Sequence, residues 1–229
     1  MNVVNIALTA RAFLYFAYPV NIAGEVWTFI PEGAKTVEGY SGATPLAIAA
    51  ETLTSGQNAV EAFSAFGTGW ADNMYTFWNM FMGFMPGSIG ETSTLMCLIG
   101  AFILIATGVG SWKIIVSVFA GAYGMGLFLN LVGSNPFTLM PAHYHLVVGG
   151  LAFGAVFMAT DPVTAAQTET GKWFYGFLIG IFTVLVRVFN PAYPEGIMLA
   201  ILLMNVFAPL IDYFVVSANK KRRLKRATI

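Results

Sequence analysis

Apolar residues in this chain run in long blocks, roughly 3 to 20, 92 to 110, 113 to 132, 144 to 160, 173 to 190 and 196 to 216. A hydrocarbon layer of about 30 Å needs about 20 apolar residues in a helix, because lipid offers no partner to an unbonded backbone N–H or C=O. The blocks therefore predict an all-α integral membrane protein with about six transmembrane helices. Composition agrees, with 57% of the 229 residues hydrophobic and 10% charged, against about 45 to 50% and about 25% in a soluble domain.

Charge supplies an orientation. The formal net charge is zero, yet Lys220, Lys221, Arg222, Arg223, Lys225 and Arg226 crowd the end of the chain, directly behind an apolar block. In a soluble protein such a run would suggest nucleic acid; behind a membrane helix it reads as a cytoplasmic anchor, and nucleic acid is not an expected partner. Counting back from a cytoplasmic tail puts 161 to 172 inside and 133 to 143 outside. Lys113 and Lys172 then fall at inner turns and the outer loops hold only Lys35, so the basic residues agree on one orientation.

The same count divides the chain into a first helix (1–20), a long outer segment (21–91), a five-helix membrane bundle (92–216) and a basic tail (217–229). Within the outer segment, residues 73 to 85 are rich in aromatics and methionine but too short to span, and they stop at Pro86-Gly87-Ser88-Ile89-Gly90. This pattern predicts a re-entrant or interfacial half-helix whose broken end faces protein or a water-filled cavity. Gly121, Gly124 and Gly126, and again Gly149, Gly150 and Gly154, let helices approach closely or leave room for a flat ligand. The single cysteine, Cys97, lies in an apolar run and offers neither an internal disulfide nor a thiolate metal site within the chain.

The most informative polar stretch is Glu38-Gly39-Tyr40-Ser41-Gly42-Ala43-Thr44-Pro45. It is a small-residue turn before a predicted helix at 45 to 53, with proline suited to the first helical position. A hydroxyl at a helix start can meet a phosphate, since the free N–H groups there favour anions and glycine lets the backbone come close. An ordinary polar loop with a capping threonine explains the stretch equally well on its own.

Taken with Arg11-Ala-Phe-Leu-Tyr-Phe-Ala-Tyr-Pro19, Gly87-Ser-Ile-Gly-Glu-Thr-Ser-Thr94, Phe157-Met-Ala-Thr-Asp-Pro162, Asn190-Pro-Ala-Tyr-Pro-Glu-Gly196 and the basic ending, the motif carries a resemblance along nearly the entire chain. The chain resembles the NqrB family, membrane subunits of the Na+-translocating NADH:quinone oxidoreductases, and more distantly the RnfD subunit of the Rnf complex. The resemblance implies the second half of an inverted-repeat fold like that of urea and ammonium channels, since family members carry a further amino-terminal half.

It also implies chemistry. In the family a flavin transferase esterifies FMN to the threonine that closes the Ser/Thr-Gly-Ala-Thr motif, which here is Thr44, with Glu38, Ser41, Gly42 and Ala43 completing the recognition stretch. The family carries an aspartate where this sequence has Glu38. A noncovalent riboflavin is expected near Asn2 and Asn5. Electrons from NADH would pass through other subunits to these flavins and on to ubiquinone, coupled to Na+ export across the bacterial inner membrane, with Thr44 on the periplasmic side. Asp161 and Asp212 correspond to acids associated with sodium uptake.

The remaining ionisable residues can be read on their own chemistry. Asp161 and Asp212 fall near inner helix ends, where a carboxylate must be hydrated, paired or bound to a cation; capping or ion pairing is as fitting as a sodium path. Arg11 and Arg187 lie inside apolar helices and need partners, either structural carboxylates or an anionic ligand such as a flavin phosphate or quinone headgroup. His143 and His145 have an i, i+2 spacing that points their rings apart on a helix, against a metal site. Glu91 follows the 87 to 90 break and suits a helix start or a central cavity. Besides the redox pump, an Rnf-type subunit and a flavin-free channel stay open as functions.

Overall fold

The computed structural model describes residues 2–18, 44–65, 74–85, 87–88, 90–133, 135–190, 193 and 195–227. All regular structure among them is helical. Helix α1 (Ile6–Ala17) begins where the Asn5 side chain accepts the Leu8 N–H at 3.2 Å. Helix α2 (Pro45–Ser55) is opened by Thr44 and closed by Gly56 at φ +70°. The short α3 (Ala59–Ala65) and α4 (Phe77–Met82) follow; α4 is capped by Thr76 and stopped by Gly83 at φ +94°. Helix α5 (Thr94–Ala106) starts at the Ser93 cap and leads to α6 (Trp112–Val132). Beyond come α7 (Tyr144–Val147) and α8 (Leu151–Phe153), the latter running into a π turn at Gly154–Met158. Helices α9 (Glu169–Phe189) and α10 (Ile197–Ala227) complete the chain.

Three of these, α6, α9 and α10, are long and apolar enough to cross a membrane, and α1 and α5 are apolar but shorter. The chain is thus an all-helical membrane protein, and its elements depart from the sequence expectation in three places. The block at 144 to 160 is not one helix: Gly149 takes φ +70° and splits it into α7 and α8. Of the half-helix expected over 73 to 85, the described residues 74–85 are regular helix only from Phe77 to Met82. The last helix does not stop at 216 but continues as helix through the basic tail to Ala227, where lysine and arginine are good helix formers in their own right.

The tightest packing is the crossing of α6 and α9. A Cβ on Gly180 would lie 2.5 Å from the Ala122 backbone nitrogen, and one on Gly121 would collide with the Phe177 carbonyl. Small residues bring the two backbones together, which is how helices associate when lipid gives no hydrophobic drive. One core gathers Leu8, Ile114, Val118, Tyr175, Ile179, Ile201 and Met204 around α9 and α10. A second gathers Leu46, Phe63, Tyr75, Met80, Phe137, Leu151 and Val184 and seats α2 to α4 on the bundle. The buried Tyr175 hydroxyl donates to Asn205 Oδ1 at 2.6 Å and ties α9 to α10. Large apolar side chains such as Phe102, Leu131, Phe174 and Phe207 point outward, as a lipid-facing surface requires.

One end of the bundle is marked by a charged and aromatic rim. Lys113 and Lys172 meet Glu169 at 2.5 and 2.7 Å, and the Trp112 and Trp173 rings pack edge to face at 5.6 Å. Tryptophan and lysine at one level are typical of a membrane boundary.

Candidate functional site

Thr44 sits immediately before α2 with extended backbone (φ −70°, ψ 158°), and its Oγ1 accepts the Ala47 N–H at 3.3 Å. The hydroxyl is therefore held at the mouth of a helix, partly exposed, among first-turn N–H groups whose dipoles favour a phosphate. Pro45 fixes the first helical φ and removes an N–H that would otherwise lack a partner. Next to it Leu46 is buried and packs against Gly149, so the acceptor helix is keyed to the break between α7 and α8. Glu38, Ser41, Gly42 and Ala43 lie outside the described residues.

Asn5 and Asp161, 156 residues apart, are brought together: Asn5 Nδ2 donates to Asp161 Oδ2 at 3.4 Å. Asp161 also accepts from the Thr164 hydroxyl at 2.7 Å and the Val163 N–H at 3.2 Å. Both ends of the Asn5 amide are engaged, one in capping α1 and one on Asp161, while Asn2 is exposed. Asp212 lies elsewhere, on α10, where it caps the approach to α9. Its oxygens accept the Gln167 N–H at 2.8 Å, the Thr168 N–H at 2.9 Å and the Thr168 hydroxyl at 2.6 Å. The structure thus gives Asp212 three donors, all from the two residues that directly precede α9.

A further cluster, which sequence reasoning does not assemble, surrounds the Gly149–Gly150 break. Arg187 is wholly buried and donates through Nη1 to the His145 carbonyl at 2.9 Å. Its Nε and Nη2 have no hydrogen-bond partner among the described residues, and neither do the ring nitrogens of the buried His145. The Glu195 carboxylate accepts the Gly150 N–H at 2.7 Å, and Arg11 meets Glu91 at 3.8 Å. A Cβ on Gly150 would lie 2.5 Å from Glu91 Oε2 and 2.7 Å from Glu195 Oε1; one on Gly149 would lie 3.4 Å from Arg187 Nη2. Only glycine fits at either position.

Two arginines and two glutamates thus converge on a helix start, and the cluster is neutral overall. Carboxylates there are favoured by the N-terminal dipole of the α8 segment, and each cation offsets the cost of burying an anion. Burial, and after it the neighbouring Glu91, raises the Glu195 carboxyl above its ordinary value, while Arg187 pulls it back down. The sequence signals for the cluster are the intramembrane arginines and a glutamate inside Asn190 to Gly196. What joins them is tertiary and leaves no periodic trace.

Comparison with known proteins places the sequence in a family. The chain matches the NQR2, RnfD, RnfE family over residues 1–221. It is 52% identical, over 98% of its length, to the NqrB subunit of the "Na(+)-translocating NADH-quinone reductase" of Chromohalobacter salexigens, of which it covers 50%. It is 51% identical to the protein of the same name from Ectopseudomonas mendocina and 50% identical to that of Azotobacter vinelandii, covering 98% of this chain and 52% of each relative. The chain spans about half the length of the curated relatives it matches. A helical membrane chain with Thr44 at a helix mouth, matched along nearly all of its residues, belongs to the NQR2, RnfD, RnfE family.

Proposed function

We propose that the chain is the carboxy-terminal half of the flavin-carrying subunit of a redox-driven sodium pump, one that reduces ubiquinone with electrons from NADH and exports Na+. The observation that carries the reading is the Thr44 hydroxyl at the start of α2 in a chain about half identical to relatives named as subunits of such a reductase. Thr44 would anchor FMN through a phosphoester, because α2 presents its free N–H groups to the phosphate and the residue is partly exposed. When bound, FMN supplies electron transfer; the chain supplies the anchor, the anion-favouring helix end and an apolar surround. Ser41, Gly42, Ala43 and Glu38 would form the stretch read by a flavin transferase.

A riboflavin near Asn2 and Asn5 is supported by their position at the start of α1, though a ligand there would share Asn5 with Leu8 and Asp161. Asp161 and Asp212 are proposed to line the Na+ path at the inner face. In this reading the tail is cytoplasmic, Thr44 periplasmic, and the chain works with other subunits in the bacterial inner membrane. We also propose six crossings, with α1, α5 and the broken α7 to π-turn segment each completing one beside α6, α9 and α10, as the second half of an inverted-repeat channel-like fold.

The test is the denatured protein from cells that possess the attaching enzyme, run on a gel and viewed for flavin fluorescence. A fluorescent band at the mass of this polypeptide, lost in Thr44→Ala, supports the anchor. A dark wild-type band sinks it and leaves a flavin-free channel as the better account. The names of the relatives favour NADH over ferredoxin chemistry, and sodium-stimulated NADH oxidation by the membranes distinguishes the two.

A further inference from the structure

Helix α10 carries 31 residues, with Pro209 inside it, more than a membrane needs. At 1.5 Å per residue it is about 46 Å long, against a hydrocarbon layer of about 30 Å. The boundary at this end is set by the Trp112–Trp173 pair and the Lys113, Glu169 and Lys172 rim, and Asp212 is bonded to the same level through Gln167 and Thr168. Lys220 stands eight residues beyond Asp212, about 12 Å along the axis, and Arg226 about 21 Å. The headgroup layer adds only about 5 to 7 Å on each face. Lys220 and Lys221 can reach back to headgroups; Arg222, Arg223, Lys225 and Arg226 stand past them.

The arrangement of the charges is equally specific. Successive residues turn by about 100° on a helix, so six cations in seven positions surround the axis instead of forming one stripe. A helix lying on lipid needs a broad apolar face, and residues 217 to 227 offer only Leu224 and two alanines. Lys221 and Lys225, Arg222 and Arg226, and Arg223 and Arg226 are like-charged neighbours one turn apart, which weakens a helix in isolation. Residues 218 to 226 are nevertheless exposed helix.

We propose that the helical extension Lys220–Arg226 is a docking element for an acidic surface on a water-soluble protein domain at the cytoplasmic face. The side of the membrane rests on the orientation proposed above; the partner chemistry rests on reach and charge alone. Charges carried past the headgroups and distributed around a rod suit a concave acidic surface, where several faces are met at once, better than a flat lipid layer.

The experiment uses native membranes containing the complete assembly, treated with a zero-length carbodiimide that joins amines to carboxyls, followed by peptide mapping. The expected result joins Lys220, Lys221 or Lys225 to an aspartate or glutamate within an acidic stretch of another polypeptide, with a yield that falls several-fold between about 0.05 and about 0.5 M salt. The Lys→Arg variant at all three positions keeps the charge and should abolish the product while leaving the assembly intact. In parallel, a fluorophore on Arg223→Cys should be little quenched by nitroxide-headgroup lipids. Absence of any protein product, a product outside an acidic stretch, or strong quenching by the labelled lipids overturns the proposal. Membranes carrying Thr44→Ala should give the same crosslink, so this result and the flavin result stand or fall separately.

Discussion

Across 45 residues of chain, the Gly150 N–H donates to the Glu195 carboxylate at 2.7 Å, and that one bond holds the loop before α10 against the start of α8. Because Glu195 also faces the wholly buried Arg187, its removal should be felt twice. Glu195→Ala is expected to destabilise the protein by about 3 to 5 kcal/mol, the usual cost of leaving a buried charge without its counter-charge. Glu195→Gln also removes the counter-charge but keeps an acceptor for Gly150, so it should cost less only by the value of that bond, about 1 kcal/mol. Thermal unfolding in detergent distinguishes them; equal losses would show that the charge, not the backbone contact, is what matters.

Thr44 has two separable roles. Thr44→Ala removes both the cap and the ester acceptor and should cost about 1 kcal/mol of stability as well as the fluorescent band. Thr44→Ser should retain the cap, and with it the stability, while reporting through residual fluorescence how far attachment depends on the methyl group. A Thr44→Ala protein as stable as the wild type would argue against the observed cap.

Asp212→Asn turns one acceptor into a donor that faces either the Gln167 or the Thr168 N–H group. The loss is expected to be about 1 to 3 kcal/mol, the range for a charge-assisted bond replaced by an unsatisfied group. If Asp212 also lies on an ion path, the sodium concentration that half-saturates NADH oxidation should rise in this variant; a fall in melting temperature with unchanged sodium dependence would assign it to architecture alone.

At the α6–α9 crossing, Gly180→Ala must push a methyl group toward the Ala122 nitrogen at 2.5 Å. Separating the backbones should cost about 1 to 3 kcal/mol, read as a lower melting temperature. Gly124→Ala, where a Cβ meets nothing within 4 Å, is the control and should be neutral or slightly stabilising because alanine favours the helix.

Much of this architecture is legible in the sequence because a membrane enforces it. Blocks of apolar residues give α6, α9 and α10 directly, and the Thr44-Pro45 pair gives the start of α2 within its observed bounds. Gly149 is visible as a glycine but not as a break, since a left-handed residue inside an apolar run reads the same as a packing residue until its neighbours are known. The contacts of Asp161 with Asn5 and of Arg187 with the His145 carbonyl join residues 156 and 42 apart. Such pairings are set by the crossing of helices, and nothing in local spacing encodes them. Asp212 reads from sequence as a cap or an ion ligand, and the three donors it accepts from are not encoded in local spacing either.

The π turn at Gly154–Met158 sets the azimuth of everything that follows it. One residue more than an α-helical turn requires is folded into that widened coil, so Ala159, Thr160 and Asp161 emerge about 100° around the axis from where a regular helix would have aimed them. Shortening the stretch by a single residue would restore regular winding and swing the Asp161 carboxylate away from Asn5, which makes this helical irregularity the element that sets the contact between Asp161 and the start of α1.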